Sequence, residues 1–345
     1  MMGALRHAAA HAQVRARLPG LLDAPAWRSL LQQEDVEGIA ERLQDGPYGS
    51  ALPARPAALE RRLTAALAEE TRTAATFDWG ATRALLVAYG RRFELANLKT
   101  VLRARHHDIP WERAAEFLTP LQRSRLPWRA LLEAPTTEAL ARLLEGTPFG
   151  PPLHTVLEQQ GDASPFRFEV ALDLAYFQDL VRRIERLAGR DGRRARTFLG
   201  DWIEVENLSW AFRYRRLAGL TPEETINYTL HRAFHAGLDA VRRVVMGSTV
   251  AEEAMRLGLG YAVDADAPED EALAALERAA GQRRADAAER LFLGAPFDVG
   301  APLALLVLRE TEVRDLVTLI EGVAGGLPRD ALTVRFLGRA RELRA

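Results

Sequence analysis

Apolar side chains return every three or four positions along most of this chain, the spacing of an amphipathic helix. Between residues 27 and 44, Leu30, Leu31, Val36, Ile39, Ala40 and Leu43 follow that spacing and stop at Gly46-Pro47. Ala58, Leu59, Leu63, Ala66 and Leu67 repeat it over 57–69. A longer amphipathic run covers 80–105 and closes on Arg103 and Arg105, cations suited to the negative end of a helix dipole. Thr221-Pro222-Glu223-Glu224 has the order of a helix start, with a capping hydroxyl, a proline at the first helical position and acids in the first turn. Pro328 opens a last helix over 329–344 in the same way. Strict two-residue alternation and an Asn-Gly hairpin signal are both missing, so the pattern predicts an all-α protein. Residues 261–270 (YAVDADAPED) read as an acidic loop, and 187–196 (LAGRDGRRAR) as an exposed, mobile basic turn.

The pattern also repeats on a larger scale, and such self-similarity outranks single motifs. ELANLKTVLR from Glu94, EVENLSWAFR from Glu204 and EVRDLVTLIE from Glu312 start 110 and then 108 residues apart. Pro110, Pro222 and Pro328 follow those glutamates by 16, 18 and 16 residues. A second mark, LQDGPYG from Leu43, recurs as LEGTPFG from Leu144, 101 residues on, with Val244–Gly247 as a degraded third copy. One unit of several helices is therefore expected three times, over about 1–120, 121–230 and 231–345. In each motif Glu and Asn or Asp stand three apart on one face, with Val or Leu beside them to pack. Three such units around an axis would enclose a funnel, and three in a row would make a solenoid.

Composition narrows the chemistry. The chain has 345 residues, 48% hydrophobic and 27% charged, with 46 basic and 47 acidic side chains interleaved and a net charge of -1. No overall field draws it to nucleic acid or acidic lipid. Cysteine is absent, which removes disulfides, thiolate catalysis and Cys-ligated zinc. The longest strongly apolar run, 303–308 (LALLVL), falls far short of the ~20 residues of a membrane span. The N-terminal stretch lacks the apolar centre of a signal peptide.

Candidate sites are sparse. His231 and His235 have the i, i+4 spacing of a metal pair, but the glutamate of H-E-x-x-H is missing and no third ligand is evident, so two surface histidines on a helix are the plainer reading. No phosphate-binding G-x-x-x-x-G-K-[ST] and no G-x-S-x-G elbow occur. Arg190–Arg196 could meet phosphate or an acidic partner surface, or be a solvated loop. Asn97 and Asn207, poor helix formers inside predicted helices, could line a funnel or bond between helices. Trp27, Trp111 and Trp128 read as interhelix packing.

The segments 93–103 and 202–213, with Pro47-Tyr48-Gly49 and the run from Glu312 to Pro328, resemble the V-type ATPase component known as d in eukaryotes and as C in bacteria and archaea. The similarity runs in order along nearly the whole chain. It implies three similar helical domains around a pseudo-threefold axis, forming a funnel. The mouth would receive the central-stalk shaft (D/F-type subunits), and the base would sit on the cytoplasmic face of the proteolipid c-ring, one copy per complex. The protein would rotate with both, without cofactor, metal or chemistry of its own, in a machine coupling proton or sodium transport to ATP hydrolysis or synthesis. By the same resemblance, Glu94, Asn97, Arg103, Glu204, Asn207, Arg213, Glu312, Arg314 and Asp315 are candidates for the faces around the funnel. Charge reversal at Glu94 and Glu204 together is expected to weaken shaft binding with helicity kept. A helical-repeat adaptor with another partner and a helical metal enzyme are the alternatives.

Overall fold

The computed structural model describes residues 2–44, 46–160, 164–217, 219–294 and 297–343; Asp45 of the first turn mark and the end of the 329–344 helix lie outside them. Among the described residues every regular element is helical. After α1 (Met2–Arg17), one order of elements occurs three times. A short pair comes first: α2 (Ala24–Leu31) and α3 (Val36–Leu43), then α8 (Trp128–Glu133) and α9 (Thr137–Leu143), then α15 (Leu238–Val245) and α16 (Val250–Arg256). A long hairpin follows each pair. In the first, α4 (Pro56–Thr76) returns along α5 (Gly80–Gly90) and α6 (Arg92–His106). In the second, α11 (Pro165–Glu185) returns along α12 (Gly189–Ala195), a π-turn and α13 (Asp201–Arg215). In the third, α17 (Glu269–Leu291) returns along the unbroken α18 (Gly300–Ala324). Each hairpin ends in a short helix after its proline: α7 (Trp111–Ala114), α14 (Pro222–Asn227) and α19 (Arg329–Thr333). The second copy has one extra helix, α10 (Gly150–Gln160).

The local chemistry of the copies matches. Asp35, Thr136 and Thr249 cap the second short helix by accepting from the amides of Gly38, Ala139 and Glu252 at 2.8, 3.1 and 3.2 Å. The cap also explains why the expected 27–44 helix is two helices: Asp35 takes an extended conformation and restarts the chain. Three other expectations are corrected. Residues 189–195 are helix rather than mobile turn, because Gly192 and Ala195 are buried and Asp191 accepts from the Val299 amide at 2.9 Å. The helix after Pro328 stops at Thr333, where the chain turns to bury Phe336. The third turn mark is Leu257–Gly260, not Val244–Gly247. Leu257 follows the Thr249 cap by eight residues, as Leu43 follows Asp35 and Leu144 follows Thr136.

Apolar burial joins successive copies. Leu98 and Val101 of α6 pack in one cluster with Leu131, Leu140, Leu153 and Leu172. Leu208 and Phe212 of α13 pack with Val241, Ala254 and Leu276. Leu316, Leu319 and Ile320 of α18 pack with Trp27, Ile39, Leu59 and Leu63, which brings the C-terminal part of the chain back onto its start. The clusters therefore bridge the expected divisions after residues 120 and 230, because each hairpin's second arm lends its far half to the next copy. The long helices form a closed circuit: α4 packs on α5, α5 on α11, α13 on α17, α17 on α18 and α18 on α4. Trp202, at the start of α13, closes onto α11 through Tyr176 and Phe177. The run 303–308 is fully buried within α18, and no described helix is long and apolar enough to cross a membrane.

Candidate functional site

The repeated polar positions do the same job in each copy. Asn97 exchanges two hydrogen bonds with the backbone of Thr119, donating at 2.8 Å and accepting at 2.9 Å. Asn207 does so with Leu230, 23 residues on, at 3.0 and 2.6 Å, and also donates to the Ala236 carbonyl at 2.6 Å. Asp315 accepts from the amides of Leu337 and Gly338 at 2.7 and 2.9 Å. Each side chain is at most 2% exposed and ties its long helix to the chain after the following proline. The glutamates three residues earlier act alike. Glu94 accepts from the Ser124 hydroxyl at 2.7 Å. Glu204 accepts from three successive amides, Phe234 at 2.5 Å, His235 at 2.9 Å and Ala236. Glu312 accepts from the Leu22 amide at 2.5 Å, the Tyr48 hydroxyl and Arg309.

Five of the nine candidates, Asn97, Glu204, Asn207, Glu312 and Asp315, are thus buried and committed within the chain. Glu94 is half-buried, and Arg103, Arg213 and Arg314 are exposed. Glu204→Lys would place an ammonium in a carboxylate's buried nest, so that substitution reports on folding rather than docking.

Asp315 stands where the other copies carry asparagine, and burial, opposed by its two amide bonds, pushes its carboxyl up to about 6. Because the folded value lies above the unfolded one of 3.8, the charged form weakens the fold. This contribution to stability is present at pH 4 and lost as pH rises through 6. Asp315→Asn removes the buried charge but leaves one of the two amides facing a donor. We therefore expect the two effects to offset each other to within about 1–2 kcal/mol at neutral pH, and the asparagine variant to become the less stable one as pH falls toward 4. Melting curves across that range test it, and a pH-independent difference would contradict it.

The centre of the helix circuit is polar. Arg92, Trp202 and Glu310 each precede their motif glutamate by two residues, and all three point into it. The Glu310 carboxylate accepts from Arg92 at 3.0 Å, Arg284 at 3.2 Å and the Tyr89 hydroxyl at 2.6 Å. Arg284 also donates to the Tyr89 oxygen at 2.8 Å. The Arg92 guanidinium stacks 3.9 Å from the Tyr89 ring centre, and that of Arg284 lies 5.6 Å from Trp202. Burial alone would raise the Glu310 carboxyl, but the two guanidiniums and the Tyr89 hydroxyl override it and hold it at about 2. Two cations thus share one anion, and Arg92 Nη2 and Arg284 Nε have no partner.

A concavity of about 440 Å³ opens beside this cluster, lined by Arg92 and Glu310 with Glu60, Glu277, Arg278 and Arg314. Where consecutive copies meet, Arg103 pairs with Glu169 at 2.5 Å and Arg213 with Glu277 at 2.8 Å. At the closing junction the corresponding residues, Glu321 and Glu60, repel, and burial followed by Glu321 raises the Glu60 carboxyl. Arg314 forms no ion pair among the described residues. A larger cleft of about 1310 Å³ runs between α4, the segment around Leu21–Asp23 and residues 120–124, and includes Glu94. The sequence reading missed the central cluster because Arg92, Trp202 and Glu310 share a position but not a chemistry. Only the alignment of the motifs could have pointed to them.

His231 and His235 do not share a helix face, since both lie in the irregular segment between α14 and α15. The Glu204 carboxylate organises that segment through its amides, including that of His235. Among the described residues no group of three His, Cys, Asp or Glu is arranged to hold a metal ion. Trp27 is buried in a core cluster, and Trp111 and Trp128 pack against another.

The family described as ATP synthase (C/AC39) subunit matches residues 10–334. The C subunit of the A-type ATP synthase of Methanocaldococcus jannaschii is 26% identical, over 92% of this chain and 82% of its own length. That of Haloferax volcanii is 27% identical over 94% of this chain and 96% of its own. The protein of the same name from Pyrococcus horikoshii is 23% identical over 89% and 83%.

Proposed function

The chain belongs to the ATP synthase (C/AC39) subunit family, and from that premise we propose that it is the non-catalytic linker between the central shaft and the proteolipid ring of a rotary V/A-type ATPase. In this reading it is a peripheral protein on the cytoplasmic face of the membrane, present once per complex. It consists of three similar domains around a pseudo-threefold axis. Their common opening, lined by arms of the hairpins, receives the D/F-type shaft, and the opposite end rests on the c-ring. Torque then passes through it in either direction.

The observation that carries the reading is the closed helix circuit, whose three copies turn equivalent positions toward one centre. A part that transmits torque needs stiffness, and stiffness follows from buried bonds that tie each arm to the next copy. Each persistent interface should bury on the order of 1,600 Å². Arg314 is exposed on the second arm of the third hairpin without an ion pair among the described residues, and Arg103 and Arg213 are exposed beside their pairs Glu169 and Glu277. Charge on this side is thus available to set the register of an inserted partner.

Co-purification from detergent-solubilised membranes tests this. The tagged chain is expected to retain both shaft and ring proteins. Arg213→Glu with Arg314→Glu is expected to cut shaft retention about tenfold and leave the ring bound, since the Arg213–Glu277 bridge is exposed and adds little to the fold. Shaft retention unaffected by that pair would remove both residues from the interface. Recovery of neither partner with the unaltered chain would overturn the linker reading.

A further inference from the structure

The end of the molecule opposite the concavity carries a pattern that the linker role leaves unexplained. The Tyr176 hydroxyl donates to the Tyr89 carbonyl at 3.2 Å, and Tyr89, Arg284 and Glu310 share the central cluster, so these residues mark one level across the three hairpins. From that level α5 runs back to its start at Gly80 and α11 runs on to Glu185, while α17 ends at Leu291 and α18 begins at Gly300. At 1.5 Å per residue all three hairpin tips therefore project about 10–15 Å past the cluster in one direction.

The tips expose apolar and basic side chains together. Trp79 is 56% exposed at the first tip and Leu293 is 88% exposed at the third. At the second, residues 182–196 hold seven arginines. Arg182 and Arg183 pair with Asp179, and Arg190 and Arg194 lie 3.8 and 3.6 Å from Asp298, which leaves Arg186, Arg193 and Arg196 without an ion pair among the described residues. Asp78 and Asp298 are buried, Asp298 facing Arg190 and Arg194, and Asp191 is bound to the Val299 amide. Arg186, Arg190 and Arg193 are exposed. Three arginines without an acidic partner, Arg186, Arg193 and Arg196, are thus exposed together at one tip.

We infer that the hairpin tips form a platform for an acidic phospholipid surface. Arginine and tryptophan both favour the boundary between headgroups and acyl chains, where an apolar body and a polar head are satisfied together. A protruding leucine adds apolar contact, and basic residues near an anionic leaflet attract it within a Debye length. The inference rests on the reading that this end faces the ring, and adds that it touches lipid as well as protein.

The full-length chain alone, sedimented with vesicles of phosphatidylcholine or of phosphatidylcholine with phosphatidylglycerol, tests it. Binding is expected to the acidic vesicles only, with release at high salt. Arg186→Glu with Arg193→Glu is expected to weaken binding at least about tenfold. Leu293→Ser, which leaves every charge in place, should weaken it less, and circular dichroism checks that both variants are folded. Equal binding to both vesicle types, or none, would overturn the inference. Loss of ring co-purification in the double variant without vesicle binding would also overturn it, by showing that the face reads acidic protein loops instead. That outcome would leave the linker reading standing.

Discussion

Replacing Glu310 with glutamine is expected to destabilise the chain by about 3–5 kcal/mol, because it leaves two guanidiniums buried without their anion. Side-chain exposures of 13% for Arg92 and 8% for Arg284 offer little water to solvate them. The ring faces of Tyr89 and Trp202 attract the cations but do not neutralise them. The loss should be visible as a lower melting temperature and a lower urea midpoint. A second substitution sharpens the test. Arg284→Met removes the surplus charge, so the double variant should recover part of what Glu310→Gln loses, a positive coupling read from a double-mutant cycle. A cost below about 1 kcal/mol for Glu310→Gln would mean that water reaches the cluster. The pH dependence is set by the low carboxyl. Its folded value of about 2 lies below 4.5, so the ion pairing contributes fully above about pH 4.5 and is lost as pH falls toward 2.

The second large effect is expected at Glu204, which is 1% exposed and accepts from three successive amides in the segment between α14 and α15. Glu204→Ala should cost about 3–5 kcal/mol, since each buried amide left without an acceptor costs about 1–3 kcal/mol and the loop can relax to recover some of it. Glu204→Gln keeps one carbonyl oxygen and should cost less. Hydrogen exchange gives a local readout. The amides of Phe234, His235 and Ala236 should lose protection in the alanine variant, ahead of the helix amides of α13. Unaltered exchange there would show that the carboxylate does not hold the loop. Its counterpart Glu94 has one bond to the Ser124 hydroxyl and is half-buried, so Glu94→Ala should cost much less.

The helical class, the recurrence of the Glu-x-x-Asn/Asp motif and the starts of the short helices after Thr221 and Pro328 were legible in the chain, because each rests on local rules. Apolar spacing sets a helix face, and a proline or a capping oxygen sets its beginning. The recurrence of Glu and Asn at fixed offsets was visible for the same reason. Their task was not. Asn97 and Asn207 reach backbone 22 and 23 residues away, and Glu312 reaches Leu22 across 290 residues. No spacing rule sees a bond of that length. The split of 27–44 at Asp35 and the helix at 189–195 were missed for a related reason: one depends on a cap that overrides periodicity, the other on burial supplied by a neighbouring hairpin.

By itself the sequence determined that this protein is all helical and that one polar motif recurs at three points along it, because periodicity and recurrence are properties of neighbouring residues. Only the tertiary structure decided which polar groups are spent inside and which face outward. Burial depends on what packs across the gap. The same motif therefore has Glu204 sealed beneath three amides and Glu94 half in water, while Arg92, Trp202 and Glu310, unlike in chemistry, meet at one centre because the chain closes on itself.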